Sequence, residues 1–525
     1  MILLTIGSDR NLFMENSDIW KRYLDYGKLF EEIHVIVFSA KKLGNKKTKI
    51  GNNVFIYPTD HIFKASYLFS VYKIVKNIMK GDHKDPNTSE LSKKDILEKD
   101  LSYRLGGIFF KIQNNLGRFC RERQYADALE QKLKENKINY RRESPIEIAG
   151  RKSNFADFII ENKILVELKT KPFLLKDDYY QTLRYLQILN IELGLLVNFR
   201  SKFLKPKRVL NYKMYSNLDR SDNNSDISDR VVITTQDPFE AGLAGWVIKK
   251  IYKIPLQIQV HTDFLSPYFW QESIINKLRV VLAKFLIIRA DSIRVVSERI
   301  KKSIIANCKL KIENSAVAVL PIFVDTDEIR SASIKIDLHK KYPQFDFIIL
   351  MASRLTREKN IGLAIKAMAE LVKNYPKLGL VIVGSGPEEN DIRSSISYLK
   401  LSGNVVLEGW SRDLASYYKT ADIYLLTSNY EGYGRSVIEA MAAGAPVVMS
   451  DVGLAGEVVK NGENGLVFAV NDTEGVIKHI ETLASDGKMR SKFSVNGKAV
   501  VEKLMTKEHY LKLYKQLIEQ CIFNH

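Results

Sequence analysis

Between residues 347 and 448 short apolar runs alternate with turns and helical patterns, and that alternation confines this part of the chain to an α/β fold. Phe347-Ile-Ile-Leu-Met-Ala-Ser353, Leu380-Val-Ile-Val-Gly384, Val405-Val-Leu-Glu-Gly409 and Ile423-Tyr-Leu-Leu-Thr427 read as strands. A helical pattern runs on to Leu371 after the first, and Val437-Ile-Glu-Ala-Met-Ala-Ala443 gives another after the last. The turns between them fall at the carboxyl ends of strands, where α/β sheets bind their ligands.

The turn Glu431-Gly-Tyr-Gly-Arg-Ser436 joins a strand to a helix and makes an anion site. Gly432 and Gly434 let the backbone approach a ligand closely. The unpaired amides of the first helical turn, at Arg435 and Ser436, attract phosphate oxygens with the helix dipole behind them. Two carboxylates beside a phosphate repel it, so Glu431 and Glu439 suit neutral hydroxyls, Glu431 those of a sugar ring and Glu439 those of a ribose. The alternative is that Glu431 caps the helix electrostatically and Glu439 is a solvated helix residue. Arg354 and Lys359 follow the first strand and offset the charge of a diphosphate. The turns at Gly384-Ser-Gly386 and Glu408-Gly409-Trp410 end the next two.

In that order, and with Ala443-Gly-Ala-Pro446-Val-Val448 after it, this constellation resembles the group 1 (family 4) retaining nucleotide-sugar glycosyltransferases. Their fold is two Rossmann-like domains in the GT-B arrangement. The resemblance implies that Arg354 and Lys359 hold the donor diphosphate, Glu431 the donor sugar and Glu439 the ribose, with Gly384, Gly386 and Gly409 lining the donor pocket. The donor would be a UDP- or GDP-sugar, and sugar transfer would require no metal.

The amino-terminal half matches less evenly, since Gly7 of Met1-Ile-Leu-Leu-Thr-Ile-Gly7-Ser8 stands without a second glycine. The match resumes at Val231-Val-Ile-Thr-Thr-Gln236-Asp237 and continues to Ile258-Gln-Val-His261-Thr-Asp263. By resemblance His261 reaches the transferred sugar; the plainer reading is a loop histidine satisfied by backbone groups.

Residues 81–100 and 216–230 are polar and turn-rich and read as linkers bracketing a separate unit. Within it, 108–133 has helical periodicity, Phe155-Ala-Asp157-Phe-Ile-Ile160 and Ile164-Leu-Val-Glu167-Leu-Lys169 read as adjacent strands, 179–189 as a helix and 194–199 as a strand. Glu167 and Lys169, two apart, share a strand face. If Asp157 faces them, two carboxylates can hold Mg²⁺ or Mn²⁺ while the lysine steadies a hydroxide or phosphate. The alternative is a charged sheet edge. Together with Glu122-Arg-Gln-Tyr125, Gln181 and Tyr185-Leu186, the unit resembles the GxxExxY family of PD-(D/E)XK nuclease-like domains. Phe119 stands where that motif has its glycine.

The expected organisation is a discontinuous Rossmann-like domain at 1–80 and 231–341, the insert at 101–215, a second Rossmann-like domain at 342–505, and a helix at 506–525 packing back on the first domain. Two functions follow. One is retaining transfer of a sugar to a glycan or lipid-linked acceptor; the other is nucleic-acid binding or processing through the insert.

Charge bears on both. Residues 101–217 hold 23 Lys+Arg against 12 Asp+Glu, much of the chain's formal +19. That suits nucleic acid, or simply a solvated surface. Lys64 to Lys80 has an amphipathic helix pattern, and Arg279 to Lys302 mixes apolar runs with Arg289, Arg294, Arg299 and Lys301. Both suit an anionic membrane surface, or a helix packing on its sheet. The opening residues lack a basic leader and no apolar run approaches the roughly 18 residues of a span. Cys120, Cys308 and Cys521 have no metal-ligand spacing. The expected place is the cytoplasm, as a free protein or one peripheral to the inner face of the membrane.

Overall fold

The computed structural model describes residues 1–61, 66–79, 98–148, 151–172, 174–201, 204–211, 231–308 and 317–524. The chain divides into two compact units, one of residues 1–2, 72–231 and 252–254, the other of 3–71, 232–251 and 255–525.

The larger unit contains two parallel sheets. The first runs, edge to edge, Val317–Val319, Ser292–Val295, Leu256–Val260, Val231–Thr235, Ile2–Gly7, Glu32–Val37, Val54–Pro58 and Thr48–Ile50, with the last strand antiparallel to its neighbour. The second runs Val405–Glu408, Leu378–Val383, Phe347–Ala352, Ile423–Leu426, Val447–Ser450 and Gly465–Phe468, every pair parallel. From Phe347–Ala352 the chain builds two strands outward on one side, then crosses to build three on the other. The switch point therefore lies between Ala352 and Leu426, and a crevice opens there at the strand ends.

Apolar periodicity explains the helices around this sheet. Ile361–Asn374 buries Ile361, Leu363, Ala364, Ile365, Ala367, Met368 and Leu371 against it. Each such aliphatic chain contributes roughly 1.5–3 kcal/mol relative to exposure. Arg435–Ala443 is bounded by Gly434 at φ +93° and Gly444 at φ +92°, conformations that cost L side chains energy, so these glycines fix both ends of the helix.

The helix Lys507–Asn524 lies on the first sheet. Tyr510 bonds Tyr26 hydroxyl to hydroxyl at 2.9 Å, and the Gln257 amide donates to the Leu517 carbonyl at 3.2 Å.

The smaller unit holds a five-stranded mixed sheet in the order Tyr140–Ile148, Arg151–Ile160, Ile164–Lys169, Leu193–Asn198 and Lys207–Leu210. Only Ile164–Lys169 and Leu193–Asn198 pair in parallel. The expected adjacent strands are adjacent, with Phe158 opposite Val166. The single helical stretch expected at 108–133 is instead two helices, Lys99–Leu116 and Glu122–Glu135, because Gly117 at φ +74° ends the first. Lys99 and Asp100, expected in a linker, open that first helix; 81–97 and 216–230 lie outside the described residues.

The amphipathic pattern from Lys64 to Lys80 is the helix Tyr67–Met79, with Lys64 and Lys80 themselves outside the described residues. The basic stretch from Arg279 to Lys302 is not one surface element. It is the end of the helix Ile274–Ile287, the buried strand Ser292–Val295 and the start of the helix Glu298–Asn307. Arg294 is 3% exposed in that strand and so is not available to a membrane, while Arg299 is paired with Asp451 at 2.5 Å.

Candidate functional site

Two loops at the switch point of the second sheet are laced together. The Thr427 hydroxyl donates to the Lys359 and Asn360 carbonyls, 3.0 Å each, and the Asn429 amide to the Glu358 carbonyl at 2.8 Å. This lacing brings Lys359 to Glu431, 72 residues on: Lys359 Nζ lies 2.5 Å from Glu431 Oε1, with side chains 15% and 12% exposed. Ser428 donates to the same oxygen at 2.8 Å. Lys359, Glu431 and Ser436 line one small pocket with Ser353 and Tyr424, and Tyr424 donates to Ser436 Oγ at 2.7 Å.

Arg354 stands at the rim, 76% exposed, 3.3 Å from Glu358. Below the pocket, Glu439 accepts from Arg435 at 2.8 Å and from Tyr418 at 3.1 Å. Burial raises its carboxyl above the ordinary range against the pull of Arg435. It is thus neither free nor solvated, and a ribose hydroxyl would have to share its oxygens.

The glycine turns have packing reasons of their own. A Cβ at Gly384 would lie 1.9 Å from the Ser353 carbonyl oxygen and one at Gly386 2.3 Å from that of Leu355, so both permit the close approach of the Arg354 loop. Nothing lies within 4 Å of a Cβ at Gly409. Its neighbour Glu408 is tied to Lys341 at 2.8 Å and to Tyr342 and Tyr417. Gly7 gives way to Gln236, whose Oε1 would be 2.2 Å from a Cβ there.

Gly432 meets the first sheet. A Cβ on it would fall 1.8 Å from the His261 carbonyl oxygen, and its own carbonyl accepts from Ser297 at 3.1 Å. His261 is consequently held one residue from Glu431 across the crevice. Its pKa is pushed down to about 3 by burial, then by the Arg294 and Arg22 charges, so the ring is neutral at physiological pH. The Ser297 contact was invisible in the sequence, since only the fold sets Ser297, which caps the helix Glu298–Asn307, against a glycine 135 residues away.

In the smaller unit the expected trio meets. Asp157 Oδ2 accepts from the Leu168 amide at 2.7 Å, Glu167 Oε1 from the Asp157 amide at 3.2 Å, and Lys169 Nζ lies 3.4 Å from Glu167 Oε2. Glu167 is 1% exposed, and burial followed by the Asp157 charge raises its carboxyl to about 7; burial also raises Asp157. Glu122 belongs to the same electrostatic neighbourhood, its carboxyl raised by burial beside Lys169 and Asp157. The sequence marks it only as a motif residue within the helical stretch 108–133. Among the described residues no three His, Cys, Asp or Glu side chains form a metal-holding group.

The group 1 glycosyl transferase family matches residues 335–500 and the PD-(D/E)XK nuclease superfamily residues 99–209. The chain is 29% identical over 181 residues to the alpha-monoglucosyldiacylglycerol synthase of Acholeplasma laidlawii, covering 33% of this chain and 45% of that one. It is 28% identical over 276 residues to the capsular polysaccharide biosynthesis glycosyltransferase CapM of Staphylococcus aureus, covering 50% and 70%. It spans from 27% to 51% of the length of three other curated relatives. The crystal structure of Anabaena HepE in complex with UDP superposes with a TM-score of 0.56 at 15% identity, over 99% of this chain and 100% of that one, which shows a shared fold. Residues 335–500 are therefore a group 1 glycosyltransferase domain in a GT-B framework, and residues 99–209 an inserted PD-(D/E)XK-superfamily domain.

Proposed function

We propose that the protein transfers a sugar from a UDP- or GDP-sugar to a glycan or lipid-linked acceptor with retention of configuration. The observation that carries this reading is the Lys359–Glu431 pair, 2.5 Å apart, at the N-terminal end of the helix Arg435–Ala443 and at the sheet's switch point. In the reaction the bond from the anomeric carbon to the diphosphate breaks, the leaving oxygen takes the electron pair, and the acceptor hydroxyl forms the new bond as its proton passes to that leaving diphosphate oxygen. Lys359, Arg354 and the first-turn amides at Arg435 and Ser436 stabilise the charge growing on the diphosphate. Glu431 accepts from sugar hydroxyls, Glu439 from the ribose, and neutral His261 meets the sugar from the facing sheet. Gly432, Gly434 and the turns at Gly384, Gly386 and Gly409 keep the backbone close to the donor. The names of relatives acting in glucolipid and capsule synthesis support a lipid or glycan acceptor.

A membrane-linked acceptor is also favoured by the helix Ile274–Ile287. It leaves Ile274 76%, Leu278 66% and Val281 61% exposed, continuing through Phe285 and Ile288, with Lys277 and Arg289 alongside. Such a stripe suits the inner face of an anionic bilayer. Among the described residues no helix is long and apolar enough to cross a membrane.

A second reading concerns the insert. Asp157 and Glu167 are hard oxygen donors buried together with raised carboxyls, so they fit Mg²⁺ or Mn²⁺ better than they fit each other. Such an ion would supply Lewis-acid polarisation of a phosphodiester. Lys169 would steady the phosphate of a bound nucleic acid.

Thermal denaturation across UDP-, GDP-, ADP- and CMP-sugars tests the main reading. One donor should raise the melting temperature with the logarithm of its concentration. No response to any of them removes the reading.

A further inference from the structure

The strand Leu256–Val260 is buried on both faces, yet Gln257 and Gln259 alternate with its apolar residues and lead directly to His261. Side chains two apart share a face, so all three project to one side, under the helix Lys507–Asn524. Two amides buried this deeply need an account of their hydrogen bonds.

For Gln259, 4% exposed, that account is complete. Its Oε1 accepts from Arg294 Nη1 at 2.9 Å and faces His261 Nε2 at 3.0 Å. Its Nε2 donates to Thr234 Oγ1 at 2.7 Å and reaches the Tyr514 hydroxyl at 3.5 Å. Arg294 is fixed in turn, donating to the Leu320 and Pro321 carbonyls and to Tyr510. A guanidinium has donors and no acceptor, so the amide atom facing Arg294 must be the oxygen. The same oxygen meets His261, so Nε2 of the ring must carry the hydrogen. In the neutral ring Nδ1 is then the acceptor.

We propose that Gln259, oriented by Arg294 and the C-terminal helix, is a positioning residue that fixes His261 in its Nε2–H tautomer and leaves Nδ1 to accept from a hydroxyl of the transferred sugar. The sugar contact rests on the function proposed above; the tautomer does not. The C-terminal helix thereby becomes part of the catalytic apparatus without touching substrate.

The charged groups that act on this ring are Arg294 from the neighbouring strand and Arg22 from the helix Asp18–Gly27, while Tyr26 of that helix and Tyr510 and Tyr514 of the C-terminal helix surround Arg294. Both charges that act on the ring are positive and oppose its protonation, which agrees with the ring staying neutral.

The test is nitrogen-15 NMR of histidine side chains in the full chain, with His261→Gln identifying the signal, alongside donor turnover. Wild type should show His261 protonated at Nε2. Gln259→Leu should mix the tautomers and cut kcat roughly ten- to a hundredfold with little change in donor affinity. Gln259→Glu keeps the accepting oxygen, so it should keep the tautomer and recover turnover at alkaline pH, with a new acid limb as the carboxylate raises the His261 pKa. It also serves if the leucine variant fails to fold. An Nδ1–H ring in wild type, or unchanged tautomer and kcat in Gln259→Leu, overturns the proposal. If the NMR result holds while no sugar nucleotide is turned over, the functional reading fails and the tautomer assignment stands.

Discussion

Two Lys–Glu pairs in this molecule have opposite chemistry. Lys359 and Glu431 come from loops 72 residues apart and balance one charge with one at the mouth of a crevice. Lys169 and Glu167 are neighbours on one strand face, and there one lysine serves Glu167, Asp157 and the nearby Glu122. Glu167 is raised to about 7 because a single buried ammonium cannot offset desolvation and the second carboxylate. The first site has further donors at Arg354 and the helix terminus and is suited to an anion; the second has surplus carboxylate and is suited to a cation. The same two residue types thus take opposite partners according to what surrounds them.

The largest effect that can break this contrast is on sugar transfer. Lys359→Ala should lower donor turnover on the order of 10²–10³-fold, as expected for removing a charge that stabilises a leaving group. Glu167→Ala should leave turnover unchanged. Release of nucleoside diphosphate, followed for both variants, checks both statements.

Next is the contact between the two parallel sheets. Gly432→Ala places a methyl 1.8 Å from the His261 carbonyl oxygen and must push the crevice open. Turnover should fall about ten- to a hundredfold while nucleotide binding to the second sheet survives, a split that equilibrium titration against kcat resolves.

A smaller effect sharpens the cation side. Between the ordinary glutamate value of 4.5 and about 7, the folded chain keeps a proton on Glu167 that the unfolded chain releases. Stability from this group is therefore present at low pH and lost as pH rises through about 7. Glu167→Gln should raise the melting temperature of the insert by several degrees at pH 8 and leave it unchanged near pH 4. Mn²⁺ should raise the wild-type value at pH 8 and not that of the variant.

The smallest expected change is at the surface. Val281→Asp, at a 61% exposed position, should weaken sedimentation with anionic vesicles a few-fold without altering turnover of a soluble acceptor.

Four of the second sheet's six strands were legible in the sequence because they are apolar runs with the site residues clustered at their ends, whereas Val447–Ser450 and Gly465–Phe468 were not read as strands. Lys359, Glu431 and Ser436 were marked together there, and the structure places them on one cavity. What the sequence hid depends on distance or on hydrogen-bond direction. Glycines 384 and 386 suggest ligand approach in the sequence, and the structure adds that each lets the Arg354 loop come close. Arg294 read as surface charge because apolar neighbours and an arginine describe an amphipathic helix and a buried strand equally well. Gln259 carried a signal, an amide alternating with apolar residues before a histidine, but its meaning required knowing that Arg294 can only donate. The break at Gly117 and the edge strands Tyr140–Ile148 and Lys207–Leu210 were missed because charged residues interrupt their period.

The central claim, that the crevice beside Lys359 and Glu431 receives a nucleotide sugar, is tested most directly by calorimetric titration of UDP and GDP into wild type and Lys359→Ala. The account predicts saturable binding of one of them, weakened on the order of a hundredfold by the substitution, as expected for removing a charge-assisted contact to phosphate. Equal binding by wild type and variant, or no binding of either nucleotide, would contradict it.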